Sequence, residues 1–210
     1  MERIGRLPME IPRREVYRYM GYKNGNRPDA EADKIIEECI RELENTAAPS
    51  AVYRIDPLIW EEDHEDHMTL SGIDVRSSYL AKNLRRCKES VLVAATLSAS
   101  VDVLLRRYSK LEITKALALQ AASAAFIEAY LDAIEEEIKK TLEPKGLSLR
   151  PRFSPGFGDF GTSYQEAVLQ ALQAGKLLGI CQAQDSEMMI PSKSVTAVIG
   201  ICTKGDGVSL

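Results

Sequence analysis

The stretch LSLRPRFSPGFGDFGTS, Leu147 to Ser163, decides which fold the chain can adopt. Gly156, Gly158 and Gly161 give GxGxxG, and Asp159 to Gly161 give DFG. A dinucleotide fold needs that glycine spacing after a buried parallel strand, at the mouth of a helix, with an acid about 20 residues further on. The downstream half conforms: Thr162 to Ala174 reads as a helix, LLGICQA (Leu177 to Ala183) as a strand, and Asp185 stands near its end. The upstream half fails. Arg150, Pro151, Arg152 and Pro155 occupy the segment that would be the strand, and neither prolines nor charges fit a strand covered on both faces. DFG falls too, because the kinase glycine loop, strand lysine and HRD-type loop are missing.

What remains is a proline-stiffened segment that carries Arg152 into a glycine turn, where bare backbone groups can approach a ligand. The planar guanidinium of Arg152 suits a carboxylate.

Working outward, Pro144 and Gly146 end an alanine-rich helical region, Glu112 to Thr141, whose small side chains let another backbone approach closely. Glu128 lies on its small-residue part and faces either water or a pocket, whereas Glu135 to Glu137 with Lys139 and Lys140 read as a solvated face. SVLVAATLS, Ser90 to Ser98, is a continuous apolar run that suits a buried strand. SAVYRIDPLIW, Ser50 to Trp60, reads as an edge strand interrupted by Pro57. Between them EEDHEDH holds His64 and His67 beside Asp63 and Asp66. With no further ligand cluster it reads as a solvated loop rather than a metal site.

The helix beginning after Pro28 carries Ile35, Ile36, Cys39, Ile40 and Leu43 at helical spacing. A link containing Gly21 and Gly25 separates it from the first two dozen residues, so residues 1–50 read as an amino-terminal arm and helix, and residues 51–210 as the main domain. Cys39, Cys87, Cys181 and Cys202 show no CxxC spacing and read as reduced core cysteines, Cys181 and Cys202 inside apolar strand-like runs.

The 210 residues carry a formal net charge of −4, which gives no basic field for nucleic acid or anionic lipid. The longest apolar run, Val91 to Leu97, is far short of the ~20 residues a membrane helix needs. The amino terminus lacks a signal-peptide core, so a cytoplasmic chain with a small-molecule or protein partner is expected.

RFSPGF, the following helix, and LLGICQAQDSEMMIPSKSVTAVIGI together resemble the S-adenosylmethionine-binding activation domain of cobalamin-dependent methionine synthase. That family carries an Arg-x-x-Pro-Gly-Tyr loop, a helix, a Thr-Glu-Ser-like strand end, a Met-x-Pro segment and a Ser-Val-Ser/Thr strand. The matching positions are Arg152 to Phe157, Gln184 to Ser186, Met189 to Pro191 and Ser194 to Thr196. The upstream strand and long helix are similar as well, with Glu128 at a pocket glutamate, so the resemblance spans roughly Cys87 to Cys202.

The resemblance implies an α+β fold, a twisted antiparallel sheet with long helices packed against it plus an amino-terminal helical extension. It implies that Arg152 clamps the methionine carboxylate, that backbone around Ser154 and Gly156 fixes the adenosyl part, that Phe157 packs on it, and that Glu128 favours the cationic end. No residue is assigned a catalytic role. Cobalamin fallen to Co(II) would be reduced by a flavodoxin or ferredoxin-type donor and remethylated, on a separate cobalamin-binding methionine synthase chain. The chain departs from the family where Phe157 replaces the loop tyrosine, where a later tyrosine pair is missing, and in its amino-terminal third. Nothing resembles the homocysteine, folate or cobalamin modules, so it reads as an accessory component. The alternatives are a reactivator, or a non-catalytic partner-binding subunit, for another corrinoid-dependent methyltransferase.

Overall fold

The computed structural model describes residues 1–23, 25–61, 64–184 and 186–204. In chain order the elements are β1 (Glu2–Ile4), α1 (Arg13–Tyr19), α2 (Ala30–Thr46), β2 (Ser50–Trp60), β3 (His67–Leu70), β4 (Ile73–Arg76), α3 (Ser78–Leu84) and β5 (Glu89–Thr96). They continue as α4 (Ala99–Leu111), α5 (Ile113–Leu142), β6 (Leu147–Leu149), α6 (Gln165–Ala171), α7 (Ala174–Leu178), β7 (Cys181–Gln182), β8 (Met189–Ile190) and β9 (Ser194–Thr203).

The main sheet is antiparallel throughout, in the order β4-β3-β2-β5-β9-β6, with β1 beside β2. The expected α+β class is what the chain adopts. Residues of β5 and β9 alternate between two cores, as successive side chains of a strand must. Val91, Val93, Ala95, Ala197, Ile199 and Ile201 join the core under α1, α2, α4 and α5. Leu92, Ala94, Val198 and Cys202 join the other, under α3, α6 and α7. Helices on both faces explain why β5 reads as an unbroken apolar run in an antiparallel sheet.

The first fifty residues share the larger core. Ile11, Val16, Ile36, Cys39, Ile40 and Leu43 are buried against α5, and the Tyr130 hydroxyl donates to Gly5 O at 2.7 Å, tying the segment after β1 to the middle of that helix. By length and composition α5 is apolar enough to cross a bilayer, but it is largely buried in the protein, where its Ala, Leu and Ile side chains form the core.

Several local expectations change. β2 is not an edge strand: it pairs with β5 from Ser50 to Pro57, with β1 from Ala51 to Tyr53, and with β3 from Leu58 to Trp60. Pro57 is tolerated because Leu58 N–H donates to Lys88 O, so by alternation the donor that Pro57 lacks would point away from β5, between the β1 and β3 pairings. The helical region after β5 is two helices, α4 and α5, broken at Glu112 in extended backbone. The helix expected from Thr162 to Ala174 is split where Gln173 adopts φ 50°, and Leu177 and Leu178 lie in α7, closed by Gly179, rather than in a strand. The strand there shrinks to two residues outside the main sheet, which leaves Cys181 exposed while Cys39, Cys87 and Cys202 are buried.

Gly200 in β9 marks a close approach. A Cβ there would lie 2.5 Å from Cys87 Sγ and 2.9 Å from Leu84 Cδ2. Gly200→Ala is expected to destabilise the protein by about 1–3 kcal/mol through overpacking, read as a lower urea midpoint at unchanged slope.

Candidate functional site

β6 pairs with the edge of β9, and the pairing continues past its end: Arg150 N–H donates to Gly200 O at 2.8 Å, and Phe153 exchanges both backbone bonds with Val198. A sheet edge is where Pro151 and Pro155 can be accommodated, since no further strand needs their missing donors.

On this segment Arg152 turns toward α5 and meets three carboxylates. Its guanidinium donates to Asp132 at 2.6 Å, to Glu135 at 2.7 Å and to Glu128 at 2.7 Å. The spacing i, i+4, i+7 puts the three acids on one face of the helix. Burial disfavours the guanidinium charge, but the hydrogen bonds to Glu135, Asp132 and Glu128 outweigh it and raise the pKa above the ordinary arginine value. Glu135, expected on a solvated face, is 15% exposed because it faces Arg152, whereas Glu136 and Glu137 pair on the surface with Lys139 and Lys140. The sequence shows the acidic run but not which member turns inward.

Beside this cluster lies a cavity of about 220 Å³ lined by Pro12, Glu15, Arg18, Tyr19, Ala125, Glu128, Ala129, Asp132 and Arg152. The alanines of α5 make its floor, and α1 makes the opposite wall. Three carboxylates face two guanidiniums, so the lining carries a surplus of negative charge. The structure thus joins Arg152 and Glu128 at one cavity, to which the arm adds Glu15 and Arg18. No motif in the sequence announces those two.

Ser154, Gly156 and Phe157 follow Arg152 along the chain but lie outside that lining. Phe157 N–H donates to Ser154 O at 3.2 Å, and Pro155 then Gly156 at φ +100° are the signature of a type II turn. A second turn, Phe157 to Phe160, places Gly158 at φ +57° against the Tyr79 ring, where a Cβ would sit 2.7 Å from Cγ. Phe157 is left 67% exposed. Asp159 is not merely a turn residue: its carboxylate accepts from the Ser77 hydroxyl, from Ser78 N–H at 2.8 Å and from Tyr79 N–H at 3.1 Å, at the start of α3. The Ser77 hydroxyl, followed by the Tyr79 and Ser78 amides, holds this carboxyl below its ordinary range.

Other expected features fall apart from this cluster. His67 Nε2 contacts Asp74 at 2.5 Å and the two histidine rings stand 6.1 Å apart, but Asp63 lies outside the described residues. Among the described residues no group of three His, Cys, Asp or Glu side chains is arranged to hold a metal. Asp185 also lies outside the described residues. A larger, open groove of about 690 Å³ between α6 and β7 is lined by Gln170, Gln173, Gln182 and Gln184 among others. The site is placed at the smaller cavity because the convergent charges are there.

No sequence-family profile matches the chain, and no curated protein matches it in sequence. The solved structures that match the fold include the MetH reactivation domain bound to AdoHcy, with a TM-score of 0.69 at 13% identity, covering 100% of this chain and 80% of that one. At that identity the likeness is one of fold.

Arg152→Gln is expected to destabilise the protein by about 1–3 kcal/mol in urea unfolding, less than for a fully buried pair because its partners are partly solvated. Asp159 gives a pH signature. Its depressed pKa means that its contribution to stability is present above about pH 4 and is lost as pH falls through the folded value. The difference in melting temperature between wild type and Asp159→Asn should therefore be largest near about pH 6 and shrink toward about pH 2.

Proposed function

We propose that the chain binds S-adenosylmethionine at the Arg152–Glu128 cavity and supports reductive remethylation of cobalamin held by a separate methionine synthase chain. The observation that supports this best is the meeting of Glu128 and Arg152, 2.7 Å apart, at one cavity of a fold like that of the MetH reactivation domain.

At about 220 Å³ the cavity is smaller than the ~300–1,000 Å³ of sites that enclose a whole ligand, so it takes the amino-acid end. The adenine then lies outside, along the Ser154 to Phe157 turn, where the exposed Phe157 ring offers a stacking face and the backbone around Gly156 allows close approach. A methionine tail bearing a sulfonium, an ammonium and a carboxylate has net charge +1, which complements a wall with one more carboxylate than guanidinium. Glu128 meets the cationic part; Arg152 keeps Glu128 in place.

The partner's cobalamin would supply the methyl acceptor. This chain holds the sulfonium methyl in one orientation, which raises its effective concentration at that acceptor. An electron donor of flavodoxin or ferredoxin type belongs to the same reading, as does a cytoplasmic location.

Calorimetry with S-adenosylmethionine and S-adenosylhomocysteine tests the site. Wild type should prefer the charged ligand, and Glu128→Gln should weaken it about tenfold or more while changing S-adenosylhomocysteine less, because one charge-assisted contact is lost. Failure of wild type to bind either ligand would sink the assignment. Adding the protein to a methionine synthase that lacks its own activation domain tests the role: turnover should recover in an S-adenosylmethionine-dependent way. A stable complex that forms equally without ligand would instead mark a partner-binding subunit.

A further inference from the structure

We infer that the ligand's carboxylate is received by Arg18 of α1, and that Arg152 is a positioning residue for the acidic wall. This rests on the reading of the cavity as the site of an S-adenosyl amino acid.

The two guanidiniums that line the cavity differ in what already occupies them. Arg152 is 26% exposed and engages Asp132, Glu135 and Glu128, using both terminal nitrogens. A fourth carboxylate approaching it would meet the repulsion of these three at short range. Displacing Glu135, 15% exposed, would also leave a sheltered carboxylate without its cation, which is the costly way to break such a cluster.

Arg18 offers the opposite situation. Its side chain is 58% exposed, and it pairs with the carboxylate of Glu15, three residues earlier on the same helix, at 2.6 Å. Both of its contacts to that carboxylate run to one oxygen, from Nε and one terminal nitrogen, so the other end of the planar fork is not used by them. An exposed pair of this kind is easily parted. The guanidinium also lies over the Tyr19 ring, 4.4 Å from its centroid, which orients the fork.

The platform under Arg18 is firm. Val16 is fully buried, Tyr17 donates to Asp33 at 2.6 Å, and Arg13 pairs with Glu37, so α1 is fastened to α2 and α5 with Arg18 and Tyr19 at its end. Across the cavity stand Glu128 and Asp132. A zwitterionic tail laid between them has its carboxylate toward α1 and its ammonium and sulfonium toward α5. Glu15, released from Arg18, faces the same cationic groups.

The test uses the full chain and two ligands that share the adenosine thioether, S-adenosylhomocysteine and 5′-methylthioadenosine, the second lacking the amino-acid tail. Arg18→Gln should weaken S-adenosylhomocysteine at least tenfold while leaving 5′-methylthioadenosine within about twofold, with an unchanged melting temperature because Arg18 is on the surface. Arg18→Lys, which keeps the charge without the fork, should recover part of the loss. Wild-type affinity for S-adenosylhomocysteine in Arg18→Gln would overturn the inference, as would equal loss of both ligands, which would mean that α1 acts only by shape. If wild type binds neither ligand, the cavity reading itself fails, a result distinct from retained binding in the variant.

Discussion

Arg152 is the point on which the site depends. A guanidinium among Glu128, Asp132 and Glu135 fastens the segment leaving β6 to the long helix α5. Seven residues later Asp159 fastens the other end of the loop to the start of α3, on the opposite face of the sheet. Pinned at both ends, the two tight turns between them have little freedom, and their prolines and glycines are the residue types that adopt such turns without strain. The loop is therefore a rigid edge that wraps from one helical layer to the other, with Phe157 exposed at its tip.

The alanines of α5 belong to the same design. A helix of 30 residues with Ala116, Ala118, Ala121, Ala122 and Ala125 buried lets the sheet and the other helices approach closely. At Ala125 and Ala129 the same small side chains leave a hollow beside α1. A leucine at either position would fill part of it. Close packing and the cavity thus come from one compositional choice, and the acids at i, i+4 and i+7 give the hollow its charge.

How far the sequence made this legible depends on how local each signal is. The apolar stripe of α2, the alanine-rich α5 and the apolar run of β5 depend on nearest neighbours, and they are where the spacing puts them. Rejection of a buried strand around Arg150 and Pro151 also stands, since that segment lies on a sheet edge. The errors arise where tertiary pairing decides. LLGICQA has strand-like composition, but Gly179 ends a short helix within it, and Cys181 follows into the open. Pro57 reads as an edge signal, whereas β2 is an interior strand whose partners change along its length. Glu135 cannot be told from Glu136 by composition; only the position of Arg152, seventeen residues away, turns it inward.

The amino-terminal segment shows the same limit from the functional side. Its composition marks it as separate, with a glycine link and scattered charges, and nothing local says where it docks. Burial of Ile11 and Val16 against α5 decides that, and it carries Glu15 and Arg18 to within one small cavity of Glu128. Two kinds of charge then meet there with different duties. The Arg152 guanidinium is largely sheltered and already engages three carboxylates, so its energy is committed to holding the fold. The Glu15–Arg18 pair is exposed and easily exchanged, so in the proposed binding mode its groups would change partners with a zwitterion. In that proposed mode, separating the charges that hold the site from those that exchange within it would let a ligand bind without loosening the loop that positions it.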